Sequence, residues 1–257
     1  LVGSEMCIRD RDKVEQNRKE CYIREFSIEH FHDSKVFETL IPKICKIFRE
    51  ENEELTGFEN EEILAEYQIY KTPGYVYMKG NVQIYSAGKQ AADISAFPEG
   101  IAVAVGSEED TPDICPDQTI DKVFTIENLT SFYRFKQEHS LVIYLGGYHN
   151  HSRRNLLMQI YQKLPDAQYY HFGDLDAGGF YILEHLKRKT GIPFQMFQMD
   201  IETLKKYEDY AKPLTENDKK RLMQLEKMEL PDEERKLITY MLQKGIKLEQ
   251  ECISESQ

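Results

Sequence analysis

Three acidic residues stand where chemistry could happen. Asp174 and Asp176 flank Leu175 in the stretch Tyr170-His171-Phe172-Gly173-Asp174-Leu175-Asp176-Ala177-Gly178-Gly179-Phe180, and Glu127 closes the run Val123-Phe124-Thr125-Ile126. The longer stretch reads as a buried strand running into two carboxylates, then a glycine pair opening a helix. Residues i and i+2 of a strand face one side at about 3.3 Å rise per residue, so Asp174 and Asp176 sit roughly 7 Å apart and point together. Like charges so placed repel unless a cation neutralises them, and hard oxygen ligands suit Mg²⁺ or Mn²⁺. The plain alternative is a solvated turn whose acids sit favourably near a helix N-terminus.

Positioning these acids requires the alternation that surrounds them. Residues 123–126, 141–145, 169–172 and 194–199 read as strands, and 129–139, 153–164 and 179–189 as the helices between them. Near-continuous apolar strands separated by helices imply a parallel sheet covered on both faces. Ligand chemistry collects at the carboxyl ends of such strands. Glu127 ends the first and Asp174 and Asp176 end the third, so three carboxylates meet at one sheet edge if those strands are neighbours. They would repel strongly there without a cation. Gly146-Gly147 and Gly178-Gly179 would let a phosphate backbone come close. Arg153 and Arg154, after His149-Asn150-His151, read either as phosphate contacts or as a solvated helix start. Lys187-Arg188-Lys189 reads as compensation of a helix dipole.

The C-terminal segment is helical. Thr215 with Asp218 resembles a capping box, Pro231 opens a helix and Gly245 ends one. Glu249 and Glu251 follow; they either extend the acidic site or belong to a segment that caps the fold. The N-terminal half reads differently. Residues 1–19 are set aside as an artefact or disordered lead, because the first dozen match no periodicity. Residues 22–31 suggest a strand or extended arm. Val36, Phe37, Leu40, Ile41, Ile44 and Phe48 follow helical spacing, with Pro42 expected to kink the helix. A second helix is expected over 61–70, and 75–78 and 82–85 as a hairpin around Lys79-Gly80-Asn81. Helix, helix, hairpin is the order of a winged-helix unit; a small α+β platform is the alternative. The domain boundary falls within 106–118, giving an α+β domain over 20–115 and an α/β domain with a helical extension over 116–257.

Composition excludes a membrane protein built of helices, since no apolar run approaches the ~20 residues a span needs. Five cysteines, odd in number and without C-x-x-C spacing, point to a reducing, cytoplasmic compartment and away from structural zinc. The formal charge of −12 is unevenly spread: residues 121–200 hold nine Lys/Arg against eight Asp/Glu, so that segment is +1 and permits a polyanion partner.

Glu127 followed 47 residues later by Asp174-Leu175-Asp176 on a parallel core resembles the Toprim fold. The resemblance extends to 26–35, to Thr125-Ile126-Glu127-Asn128-Leu129-Thr130-Ser131-Phe132, to Gly179-Phe180-Tyr181-Ile182-Leu183 and to Leu248-Glu249-Gln250-Glu251. Together these resemble the C-terminal half of the Wadjet JetD nuclease family, from about residue 20 onward, with His32 where that family more often has glycine. The resemblance implies a winged-helix-like domain followed by a Toprim domain, as in the topoisomerase VI A subunit. It also implies a plasmid-defence endonuclease subunit acting on double-stranded circular DNA with an SMC-like JetABC complex, possible as a homodimer. Its Mg²⁺ or Mn²⁺ site would hold two ions about 4 Å apart, with Asp174 and Asp176 as ligands and Glu127 as ligand or general base. A haloacid-dehalogenase phosphatase would carry its Asp-x-Asp on the first strand, which this chain does not. A non-catalytic DNA-binding or docking subunit is the alternative function.

Overall fold

A computed structural model of the chain describes residues 2–52, 55, 58–71, 74–105, 112–146 and 151–253. The chain divides into two compact units. The first comprises Leu1–Tyr75, Ala104–Thr111 and Tyr148–Asn155; the second comprises Val76–Val103, Pro112–Gly147 and Leu156–Gln257.

The first unit is mainly helical: α1 (Val2–Gln16), β1 (Cys21–Tyr22), α2 (Ile23–Phe31), α3 (Val36–Glu51), α4 (Asn60–Glu66) and β2 (Ile69–Tyr70). Within the lead set aside by sequence, Val2–Gln16 form α1, which buries Val14 in the core and pairs Arg11 with Glu15 and Glu51. Two expectations are corrected here. Residues 22–31 are not one strand: only Tyr22 belongs to β1, and Ile23–Phe31 form α2. The Tyr22 N–H donates to Glu25 Oε2 at 2.8 Å, and Ile23, Phe26 and Ser27 are buried at helical spacing. Capping and the i, i+3, i+4 pattern together outweigh the partial alternation. The helix expected over 61–70 stops at Glu66, because Gln68 takes a left-handed conformation with φ 61°. Ile69 and Tyr70 then pair in parallel with Cys21 and Tyr22. α3 runs unbroken through Pro42. Ser27 Oγ accepts the Phe37 N–H at 3.0 Å, and Phe26 meets Phe37 with ring centroids 4.6 Å apart.

The remaining strands and helices are β3 (Gly74–Lys79), β4 (Val82–Ser86), β5 (Lys89–Asp93), β6 (Ile101–Val105), β7 (Asp113–Pro116), β8 (Lys122–Ile126), α5 (Leu129–Arg134), β9 (Ser140–Tyr144), α6 (His151–Lys163), β10 (Gln168–Phe172), α7 (Ala177–Thr190), β11 (Gln195–Met196), α8 (Ile201–Lys206), β12 (Lys212–Pro213), α9 (Glu216–Leu225), α10 (Asp232–Lys244) and β13 (Ile246–Lys247). A six-stranded sheet has the order β11-β10-β8-β9-β3-β6. β11, β10, β8 and β9 are parallel, and β3 joins β9 antiparallel. The expected parallel α/β core is therefore present.

The hairpin expected across Lys79-Gly80-Asn81 is not formed. β3 lies in the large sheet, whereas β4 pairs with β5 and β7 in a separate three-stranded one. The hairpin is β4–β5, turning through Ala87 and Gly88 with φ of 49° and 73°. Two positive-φ residues match the twist of flanking strands, whichever residue types supply them. Residues 76–103, placed by sequence with the helical segment, thus belong to the second unit.

Helices cover both faces of the parallel strands. On one face Phe124 meets Phe135 and Phe197 at 4.7 and 5.0 Å, in a core continuous with α7, α9 and α10. On the other, Tyr169 meets Tyr161 of α6 at 5.2 Å. α5 ends at Arg134 rather than His139, because Phe135 turns extended to enter the core. The Thr215 capping box is formed in full: Asp218 N–H to Thr215 Oγ1 at 3.1 Å, and Thr215 N–H to Asp218 Oδ2 at 2.9 Å. Pro231 precedes α10, and Gly245 ends it at φ 70°.

Candidate functional site

β8 and β10 are neighbours in register, with Ile126 opposite Phe172. The pairing continues past the strands, since the Glu127 N–H donates to the Phe172 carbonyl at 3.1 Å. Glu127 and Asp174 therefore leave the same edge, and the Asp174 N–H lies 3.4 Å from Glu127 Oε2. Asp176 is one step beyond, as the N-cap of α7: its Oδ1 accepts the Gly179 N–H at 2.9 Å. Capping by Asp176 and service as a ligand are compatible, since the cap uses one carboxylate oxygen.

The chain closes this edge from far away in sequence. Leu248 forms a two-bond antiparallel bridge with Leu175, at 2.9 and 3.2 Å. Gln250, which is 0% exposed, then ties the two strand ends together. Its backbone N–H donates to Asp174 Oδ1 at 2.7 Å, its Nε2 donates to the Phe172 carbonyl at 2.9 Å, and its Oε1 accepts the Asn128 N–H at 2.8 Å. Asn128 caps α5 through Ser131 and donates its Nδ2 to Glu251 Oε1. Glu249 pairs with exposed Lys212. Sequence reasoning names Glu249 and Glu251 but misses Gln250, which carries no charge and lies 76 residues from Asp174; no local pattern marks it.

Burial raises the Asp174 carboxyl from its ordinary value to about 6, and the negative charges of Asp176, Glu251 and Glu249 add to this against the Gln250 hydrogen bond. Behind the acids, His171 is wholly buried. Burial first, and the charge of Lys187 second, push its imidazole down to about 3, so the ring is neutral.

Two glycines are required by close approach. A methyl group on Gly179 would stand 2.2 Å from the Asp174 carbonyl oxygen, so this glycine admits backbone, not phosphate. On Gly173 it would stand 2.7 Å from Glu127 Oε2 and 2.8 Å from His171 Nε2. Gly146, at the end of β9, takes φ 68°; the Leu145 N–H before it bonds the Ile126 carbonyl at 2.7 Å, which places Gly146 at the same edge. Gly147, His149 and Asn150 lie outside the described residues.

Arg153 and Arg154 belong to the first unit. Arg154, 7% exposed, donates to Glu66 at 2.7 Å, which gives it a structural ion pair in place of an open phosphate-facing position. Lys187 does more than compensate a dipole, since it pairs with Glu184 and with Glu234 of α10. Two basic side chains that the sequence did not flag, Arg134 and Lys136, share a cavity with Glu251. This cavity, of about 640 Å³, is lined by Thr130, Arg134, Lys136, Phe172, Gln198 and Glu251, among others.

The donor set at the edge suits a hard divalent ion: carboxylate oxygens from Glu127, Asp174 and Asp176, with sulfur and imidazole absent from the three. Among the described residues no three His, Cys, Asp or Glu side chains stand close enough to grip an ion as placed. The backbone nonetheless brings the three acids to one edge.

The structure thus defines an α/β protein with acidic residues gathered at the carboxyl edge of a parallel sheet. A model of the family described as "Wadjet protein JetD, C-terminal" matches residues 110–257, more than half of the chain, and the chain belongs to that family. It is also 29% identical over 259 residues to the Wadjet protein JetD of Bacillus cereus (strain Q1). That match covers 98% of this chain and 62% of the relative, so the chain spans under two thirds of the relative's length. Among the described residues no helix is long and apolar enough to cross a membrane.

Proposed function

We propose that this chain is the DNA-cleaving subunit of a Wadjet-type plasmid-defence system, a Mg²⁺- or Mn²⁺-dependent endonuclease whose second unit is a Toprim domain. The observation that carries the reading is the convergence of Glu127, Asp174 and Asp176 on one edge of adjacent parallel strands, locked by Gln250. When bound, divalent ions at such a site neutralise the scissile phosphate and acidify water. The chain's own residues then divide the work. Asp174 and Asp176 hold metal through the oxygens that Gln250 and Gly179 do not use. Glu127 is a ligand or the base that takes the proton of the attacking water. Gln250 holds the two strand ends in register, and Arg134 and Lys136 draw the phosphate backbone toward the edge.

The substrate under this reading is double-stranded circular DNA presented in the cytoplasm by an SMC-like JetABC complex, and the reading is compatible with a homodimer. Helices α2–α4 would serve as a DNA-facing, winged-helix-like scaffold, without the wing expected at 75–85. The test is nicking of supercoiled plasmid in Mg²⁺ or Mn²⁺, with and without the partner complex. Cleavage lost in Glu127→Gln with the fold retained supports the reading. Absence of cleavage under every combination replaces it with a non-catalytic DNA-docking subunit.

A further inference from the structure

The side chain that this chemistry leaves unused is His171. It sits on β10, three residues before Asp174, and its ring is wholly enclosed. Its cross-strand neighbour is Thr125, and its Nδ1 lies 3.0 Å from Thr125 Oγ1. The other nitrogen, Nε2, is buried with no hydrogen-bond partner. An unpaired buried polar atom keeps its full desolvation penalty, and most buried polar atoms avoid that state. An orphan beside a polar site therefore points to a partner it gains there. Gly173 shows which one. A methyl group on that residue would contact both His171 Nε2 and Glu127 Oε2, at 2.8 and 2.7 Å. Imidazole and carboxylate approach one point from two neighbouring strands, and the missing side chain of Gly173 keeps that point open.

We infer that His171 is a positioning residue for Glu127: Thr125 donates to Nδ1, the ring carries its proton on Nε2, and Nε2–H donates to the Glu127 carboxylate in its working rotamer. The inference rests on the reading of Glu127 as a metal-site residue. In the other tautomer Thr125 would donate to the Tyr170 carbonyl, 3.2 Å away, and leave Nε2 a bare lone pair facing a carboxylate oxygen. The contact to Thr125 is made in either tautomer, and the acceptor character of Glu127 favours the first arrangement. Donation to one oxygen fixes which oxygen the carboxylate turns toward the ion. Partners of this kind typically change metal affinity by about 10–100-fold.

The test reads metal binding rather than cleavage. Mn²⁺ is titrated into the full chain and into two variants. His171→Gln keeps an N–H near the position of Nε2, whereas His171→Asn keeps only a group facing Thr125. Binding about tenfold or more weaker in His171→Asn, with His171→Gln within about threefold of wild type, is the expected result. Wild-type binding by His171→Asn, or no recovery in His171→Gln, overturns the inference. A second measurement needs no folded His171 variant: ¹⁵N NMR of the imidazole in the metal-free wild type and in Glu127→Gln. An Nε2–H tautomer whose signal moves in Glu127→Gln supports the contact; an Nδ1–H tautomer, or a signal indifferent to that substitution, overturns it. If the wild type binds no Mn²⁺, the metal reading of Glu127 fails on its own, and the NMR result still decides the His171–Glu127 contact.

Discussion

At the scale of single residues, the site keeps an acid in poor surroundings. Asp174 is mostly buried among other carboxylates, and its pKa of about 6 lies above the ordinary value for an unfolded chain. A group with a raised folded-state pKa contributes stability that is complete at low pH and lost as pH rises through the folded value. The metal-free protein should therefore lose, between about pH 4 and pH 7, stability on the order of 3 kcal/mol through this one carboxyl. Asp174→Asn removes that loss while Asn Oδ1 still accepts the Gln250 N–H. Thermal melts should show the variant a few degrees more stable than wild type at pH 7.5 and no more stable at pH 4.5. Gln250→Ala works in the opposite direction. It strands the Asn128 N–H, which costs about 1–3 kcal/mol when buried and unpaired, and removes one of the two hydrogen bonds to the Phe172 carbonyl, which keeps the Glu127 N–H. Denaturant unfolding should report a loss of at least 2 kcal/mol, accompanied by weaker Mn²⁺ binding.

At the scale of elements, α7 is pressed onto the Asp174 turn at Gly179. Gly179→Ala improves helix propensity yet drives a methyl into the Asp174 carbonyl, and the collision dominates. A destabilisation of about 1–3 kcal/mol and a loss of plasmid nicking are expected, whereas Gly178→Ala, whose nearest contact would be Asp176 Oδ1 at 3.1 Å, should be milder in both. What the sequence revealed at this scale follows from how local each signal was. The strand ends at Glu127 and Asp174 were legible because unbroken apolar runs stop at charged residues. The Thr215–Asp218 cap and the Gly245 stop were legible because their chemistry is complete within four residues. The turn at Ala87-Gly88 was hidden, since alanine rarely supplies a positive φ. α2 was hidden behind a partial alternation. Gln250 was invisible because the three groups it ties together lie 76 to 122 residues away.

At the scale of the whole molecule, a net charge of −12 sits awkwardly with a polyanion partner unless binding is local. Under the proposed function, Arg134 and Lys136, which share a cavity with Glu251, would supply a local attraction, and divalent ions at the acidic edge would reverse its sign. Doubly substituting Arg134→Ala and Lys136→Ala should weaken binding to duplex DNA uniformly across sequences. The slope of log K against log salt should become shallower by about two, roughly 0.9 for each phosphate contact removed. Filter binding or fluorescence anisotropy at several salt concentrations measures this, and an unchanged slope would place the contacts elsewhere.

The bridge from Leu175 to Leu248 carries a consequence for the order of events during synthesis. Domains fold as they leave the ribosome, N-terminal parts first. The strands bearing Glu127 and Asp174 can pair as soon as residue 174 has emerged, but the clamp that sets Asp174 arrives only with residues 248–252. Until then Asp174 lacks the Gln250 N–H, and the tie between the Phe172 carbonyl and the Asn128 N–H is missing, so the geometry of this edge is completed only after its strands have paired.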